Sequence, residues 1–184
     1  MNITEAALEQ LRFPVGQYEV PAEITSEQLE KWIQTFADFP KVVAEITAPL
    51  SPTELRWRYR PGGWMLKQVV HHCADSHLNS MARFKLSLTE DKPTIRPYLE
   101  GRWAELADSQ DDDLSDSLAL LRGLHAKWVR LLRSLGPDDL ARTFFHPESQ
   151  GWHRLDETIG MYAWHCEHHT AHLRLALEAA GRYD

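Results

Sequence analysis

The chain has 184 residues, of which 43% are hydrophobic, and its formal net charge is −7 at pH 7. This length fits one domain with a sizeable core, and the acidic balance argues against nucleic acid or an anionic membrane surface as the main partner. The sequence contains no run of about 18 apolar residues, so we expect no membrane-spanning segment.

The first part of the chain predicts an extended arm. Residues 1–24 contain Pro14, Gly16 and Pro21 and show little periodicity, which is typical of irregular backbone. The remainder, still within a single domain spanning residues 1–184, carries the long periodic segments.

The first long helix is expected to begin after Thr25, because the Thr25 hydroxyl can cap it and Gln28 completes a capping box. Apolar residues then recur at helical spacing to about Thr47. Pro40 lies inside this segment and is expected to kink or restart the helix, since proline lacks the N–H donor.

Three further long helices follow. Their patterns cover about 65–89, about 113–135 and about 156–180, with glycine and proline between them as terminators. Residues 144–154 read as irregular, and no alternating run is long enough for a sheet strand. The fold class is therefore all-α: a four-helix bundle with an N-terminal arm and long connecting loops.

Histidines cluster on two of these helices. His165 and His169 are four residues apart on the last helix, so one lies a turn above the other. The pair His71 and His72 lies on the second helix. Three neutral imidazoles from two helices can hold one divalent ion and leave coordination positions open, as catalytic metal sites do. A buried histidine with one ordinary hydrogen bond is the competing interpretation.

The helical wheel separates some of these residues. At about 100° per residue, His165 and His169 lie within about 80° of the apolar direction of the last helix, whereas His168 lies about 140° away. We therefore expect His168 to point outward. The wheel does not separate His71 from His72.

Cys73 and Cys166, the two cysteines of the chain, do not form a disulfide framework. Both fall on apolar stripes, so core packing is the expected role. The N-terminus shows no signal-peptide pattern. Together these features favour a reducing, cytoplasmic location.

Two sequence motifs carry a family resemblance. The first is YRPGGW at 59–64 with QVVHHCADSH at 68–77, and the second is MYAWH at 161–165 with HHTAH at 168–172. They resemble the signatures of the YfiT group within the DinB superfamily, and shorter matches at 83–103 lie between them. The resemblance implies a four-helix bundle with one metal ion held by His72, His165 and His169.

The resemblance also implies a function. Members are described as metal-dependent hydrolases, and some are thiol S-transferases that use bacillithiol, a small cysteine–sugar thiol. We therefore expect an enzyme that acts on a small molecule and is a homodimer. Zn²⁺ is the expected ion, with Ni²⁺ as the alternative, because imidazole is a borderline donor. A metal-binding stress-response protein without turnover is the alternative function.

Several residues near the motifs have open roles. Asp75 could orient a metal ligand or lie exposed, and His77 occupies a position where distant DinB proteins carry Glu. No catalytic side chain is assigned. The loop residues that could line a substrate pocket, or only pack over the bundle end, are Tyr59, Arg60, Trp64, Tyr98 and Trp103.

Overall fold

A computed structural model describes residues 3–184. Within this range the chain forms helices and one small two-stranded hairpin. The helices are α1 (Glu5–Arg12), α2 (Ser26–Thr47), α3 (Leu66–Thr89), α4 (Glu100–Trp103), α5 (Ser115–Leu132), α6 (Pro137–Leu140) and α7 (Leu155–Ala179), the strands are β1 (Thr143–His146) and β2 (Gly151–Arg154), and 3₁₀ turns lie at Glu54–Arg56 and Asp108–Gln110.

The four long helices form the expected bundle. Helix α7 packs against α2 and α3, and α5 packs against the same two helices. The consecutive helices α2 and α3 therefore lie diagonally across the bundle, which explains the long connection between them. This arrangement places α3 beside α7, the two helices that carry the clustered histidines. None of the described helices combines the length and the apolarity that a membrane crossing requires.

Local signals place the helix ends close to their predicted positions. The Thr25 Oγ1 accepts a hydrogen bond of 3.2 Å from the Gln28 N–H, so α2 begins at the predicted cap. Helix α2 does not restart at Pro40 but continues through it to Thr47. Helices α3 and α7 begin within one residue of the predicted positions.

Two predictions of irregular structure were wrong. The N-terminal arm contains α1, whose first turn is capped by the Thr4 hydroxyl. Residues 144–154 include the antiparallel hairpin of β1 and β2, in which Phe144 pairs with His153 and Phe145 with Trp152. Strands this short gain stability from the surface on which they pack rather than from their own pattern, and Phe144 is buried in the bundle core.

The arm lies along α7. The Trp164 Nε1–H donates to the Gly16 carbonyl at 2.9 Å, and the Tyr18 hydroxyl donates to the Glu157 carbonyl at 3.0 Å. Gly160 permits this close approach, because a Cβ at that position would lie 2.7 Å from the Trp32 ring and would also meet the Tyr18 hydroxyl. The arm thus covers one face of the helix that carries His165 and His169.

Candidate metal centre

Three imidazoles from α3 and α7 converge at one point. The His165 Nε2 lies 3.3 Å from the His72 Nε2 and 3.2 Å from the His169 Nε2. Helix packing produces this cluster: His165 and His169 share a face of α7, and α3 brings His72 opposite them. The three residues named from the sequence therefore lie together and form one group of possible metal ligands.

The donor set fits a divalent ion. Tetrahedral zinc has Zn–N distances of about 2.0–2.1 Å, which places neighbouring ligand nitrogens roughly 3.3 Å apart. The spacings at His165 match this value. Burial lowers the pKa of His72 to about 4 and holds those of His165 and His169 well below the ordinary range. All three rings are therefore neutral near pH 7 and can each offer a nitrogen lone pair.

A chain of histidines supports His165 from behind. The His165 Nδ1 lies 2.9 Å from the His77 Nε2, and the His77 Nδ1 lies 2.7 Å from the His125 Nε2. The His125 Nδ1 lies 2.7 Å from the Phe36 carbonyl oxygen. This chain of hydrogen-bonded histidines, the long relay, crosses the bundle from α7 through α3 and α5 to α2.

The Phe36 carbonyl at the end of this relay determines which ring nitrogen of each histidine carries the proton. A carbonyl oxygen only accepts, so the His125 Nδ1 must carry a proton. Burial keeps His125 and His77 neutral, with lowered pKa values. The Nε2 of each is then an acceptor, and the His165 Nδ1–H must donate to His77. The Nε2 of His165 is left bare, the form that binds a metal ion.

A second, shorter relay supports His169. The His169 Nδ1 lies 3.4 Å from the His172 Nδ1, and the His172 Nε2–H donates to the Arg12 carbonyl at 3.1 Å. Tyr59 stacks on the His172 ring at 3.9 Å between centroids. By the same reasoning the His169 Nδ1 is protonated and its Nε2 is bare. Two lone pairs thus face each other at His165 and His169, an arrangement that a cation between them stabilises.

His168, His169 and His172 form a second compact group, but the nitrogens of His169 and His172 are committed elsewhere. The shorter relay leaves His172 without a free lone pair, since its Nε2–H donates and its Nδ1 accepts. The Nε2 of His169 points to the first cluster. This second group therefore supports the first one and is not a separate metal site.

The outward prediction for His168 was wrong. The residue is buried because the N-terminal arm packs on that side of α7, where Phe13 lies 5.9 Å and Trp164 4.5 Å from its ring, measured between centroids. The wheel measures direction relative to the bundle core and takes no account of the arm. His71 lies apart from the cluster, and its ring contacts Ser117 and the Asp111 carbonyl.

The remaining candidates have other surroundings. Cys73 and Cys166 are buried in the core, as predicted, and burial raises the pKa of both thiols. Asp75 is half-buried, and burial together with the nearby charge of Asp108 raises its pKa. Among the described residues, none of the three clustered histidines makes a hydrogen bond to Asp75, so the ring-orienting role falls to His77 and His172.

Sequence reasoning left His77 without a role and did not consider His125. Both rings are fully buried, and His125 falls among the apolar residues of the α5 stripe. A polar residue at such a position needs a buried partner. This was the available signal, although it does not reveal which partner the residue has.

The cluster opens onto a cavity of about 550 Å³. Four of the five loop residues considered from the sequence line it, namely Tyr59, Arg60, Trp64 and Tyr98. Trp103 instead packs against Tyr98, with ring centroids 4.6 Å apart. The metal candidate therefore faces a space of the size of a small-molecule site.

Breaking the long relay is expected to weaken metal binding without removing a ligand. His77→Phe should raise the dissociation constant for Zn²⁺ by about 10–100-fold, the usual effect of losing a partner that orients a ligand. Competition with a chromogenic chelator measures this change. His71→Phe, a buried histidine outside the relay, is the matched control and should stay within about twofold of wild type. Equal affinities of the His77 and His71 variants would contradict the role of the relay.

Comparisons with known proteins agree with this geometry. Residues 35–173 match the family model described as the DinB superfamily. A relative from Bacillus mycoides (strain KBAB4), provisionally named a metal-dependent hydrolase, is 50% identical over 166 residues, which cover 90% of this chain and 95% of the relative. YfiT of Bacillus subtilis (strain 168), provisionally named likewise, is 46% identical over 89% of this chain and 92% of its own length.

The fold has a solved counterpart. The structure of YfiT from Bacillus subtilis superposes with a TM-score of 0.89 at 44% identity, and the match covers 93% of this chain and 98% of the other. That structure is described as a four-helix bundle of unusual topology. Sequence, fold and the converging histidines thus lead to one assignment: the chain belongs to the DinB superfamily, among its YfiT-like members.

Proposed function

We propose that this protein is a divalent-metal-dependent enzyme that holds its ion with His72, His165 and His169 and acts on a small molecule. One observation carries the proposal: three neutral imidazoles converge at zinc-like spacing on the wall of an open cavity. A purely structural ion is usually enclosed by four protein ligands, whereas a catalytic one keeps an open position.

A divalent ion bound there would supply positive charge that lowers the pKa of a water or a thiol and makes either a better nucleophile. Neutral ligands leave this charge undiminished, and the two relays keep the ligands neutral and oriented. Zn²⁺ is the proposed ion and Ni²⁺ the alternative, since imidazole suits both.

The nucleophile decides between hydrolysis and thiol transfer. Hydrolysis needs only water in the cavity, and the provisional names of the relatives support it. Thiol transfer needs a thiol from outside the chain, because Cys73 and Cys166 are buried in the core and burial disfavours their thiolates. A low-molecular-weight thiol is the reactant that the transfer reaction would require.

The test compares the two reactions on one protein. Metal-free protein is reloaded with Zn²⁺ or Ni²⁺ and assayed with a panel of esters and amides, and separately with a small thiol plus an electrophilic chloroarene. We expect turnover in one panel, lost with chelator and in His72→Ala, and retained in Cys166→Ser. Turnover that does not need the metal would contradict the proposed metal-dependent activity. No turnover in either panel with metal bound would favour a metal-binding protein without catalysis.

A further inference from the structure

Arg83 is a buried cation for which residues 3–184 provide no ion-pair partner. Its residue is only 8% exposed, and its Nε is enclosed with no hydrogen-bond acceptor among residues 3–184. The ion pairs of the described chain involve other basic residues. Burying a guanidinium without a counter-charge opposes folding, and an anionic ligand in the cavity would supply the missing negative charge.

Arg83 and the metal candidate face the same cavity. Arg83 lines it together with His72 and Ser76, and it lies eleven residues after His72 on α3. Eleven residues are slightly more than three whole helical turns, so both side chains emerge on one face, with Cα atoms separated along the axis by about 16 Å. Both side chains lean towards the N-terminus, and arginine is the longer of the two, so the guanidinium lies roughly 10–15 Å from the ligand histidines.

Further unsatisfied buried atoms, on Arg60, His146 and His168, lie at the same cavity. His146 of β1 lines it, and its Nδ1 is buried without a hydrogen-bond partner in the described chain. Burial, followed by the nearby charge of Arg83, lowers the pKa of His146. A neutral His146 can donate one N–H to an acceptor that also contacts Arg83.

The other charged residues of the cavity differ in their surroundings. Glu100 and Glu148 are exposed and remain hydrated. Arg12 is paired with Glu5 and Glu9 at 3.6 Å. The Nε of Arg60 is also buried without an acceptor, but Arg60 is only partly buried, its Nη1–H donates to the Pro61 carbonyl at 3.2 Å, and it lies over the Tyr59 ring at 5.3 Å from the centroid. Arg83 is therefore the buried charge of this cavity that most requires a counter-ion.

We propose that Arg83, with His146, forms an anion subsite that binds a carboxylate or phosphate group of the substrate while the reacting group of the same molecule lies at the three histidines. The inference rests on the proposed function and narrows it to substrates with an anionic end about 10–15 Å from the reacting centre. A guanidinium can hold either anion through paired N–H···O bonds.

Hydroxamates test the subsite because they bind zinc whichever reaction the enzyme catalyses. Suberic acid monohydroxamate has a carboxylate at the far end of a chain that spans the required separation, and its methyl ester is the neutral match. Their dissociation constants on zinc-loaded protein are measured by calorimetry. We expect wild type to prefer the acid over the ester by about tenfold or more. A phosphonate-ended analogue shows which anion is preferred.

Two variants define the outcome. Arg83→Gln should reduce the preference for the acid to about twofold or less, whereas Arg130→Gln, which removes an exposed charge elsewhere, should keep it. Thermal unfolding of metal-free Arg83→Gln should show a melting temperature equal to or above that of wild type, since an unpaired buried charge is removed. A preference that is absent in wild type, or that survives in Arg83→Gln, would overturn the subsite.

Acetohydroxamate, which is too short to reach Arg83, separates this inference from the proposed function. It should bind wild type and Arg83→Gln equally and should not bind His72→Ala. Failure to bind zinc-loaded wild type would contradict the metal centre and, with it, the subsite. Normal binding of acetohydroxamate without a preference for the acid would contradict the subsite alone.

Discussion

Replacement of His72, His165 or His169 by alanine is expected to abolish stoichiometric zinc binding. Each of the three rings offers one nitrogen to the cluster, and two imidazoles hold zinc far less tightly than three. Loss of a ligand should exceed the roughly 10–100-fold effect of losing an orienting partner. Metal analysis after dialysis, together with chelator competition, measures the change.

His71→Ala and His168→Ala are the matched controls, because both remove a buried neighbour of a ligand residue. The His71→Ala variant should bind zinc like wild type, since the His71 ring lies outside the cluster, with its Nδ1 2.8 Å from the Ser117 Oγ of α5. His168→Ala should also retain stoichiometric metal. Loss of metal in His168→Ala combined with its retention in His169→Ala would show that the second histidine group, not the first, holds the ion.

Acidification is expected to destabilise the metal-free protein between pH 6.5 and about 4. Burial lowers the pKa of His125 from 6.5 to about 4 and lowers that of His72 similarly. Below pH 6.5 the unfolded chain therefore binds protons at these histidines, whereas the folded chain does not. Stability is fully present above 6.5 and falls towards pH 4, at about 1.4 kcal/mol per pH unit for each such group.

Urea unfolding of the metal-free protein at several pH values measures this loss. His125→Leu removes one of the buried imidazoles, so the free energy of unfolding of this variant should fall less steeply with acidification. Unfolding of the variant should take up about one proton fewer than unfolding of wild type. His153→Leu, which changes a histidine of the hairpin that is not in either relay, should leave most of the slope. A free energy of unfolding that is flat over this pH range would contradict the neutral buried relay.

The helices and the pairing of His165 with His169 could be predicted from the sequence because both depend on local periodicity. Thr25 and the apolar spacing fix α2, and a separation of four residues places His165 above His169 on any helix. The burial of Cys73 and Cys166 follows from the same wheel. These features require no knowledge of how the helices are arranged around one another.

The tertiary structure decided the rest, since the remaining contacts join segments that are far apart in the chain. Packing of α3 beside α7 distinguishes His72 from His71, which periodicity left equivalent. The docked arm buries His168 and supplies the Arg12 carbonyl to His172. The relay through His77 and His125 exists because side chains of α3 and α5 and a carbonyl of α2 line up across the bundle at the level of His165. The unpaired charge of Arg83 becomes visible only when its surroundings are known.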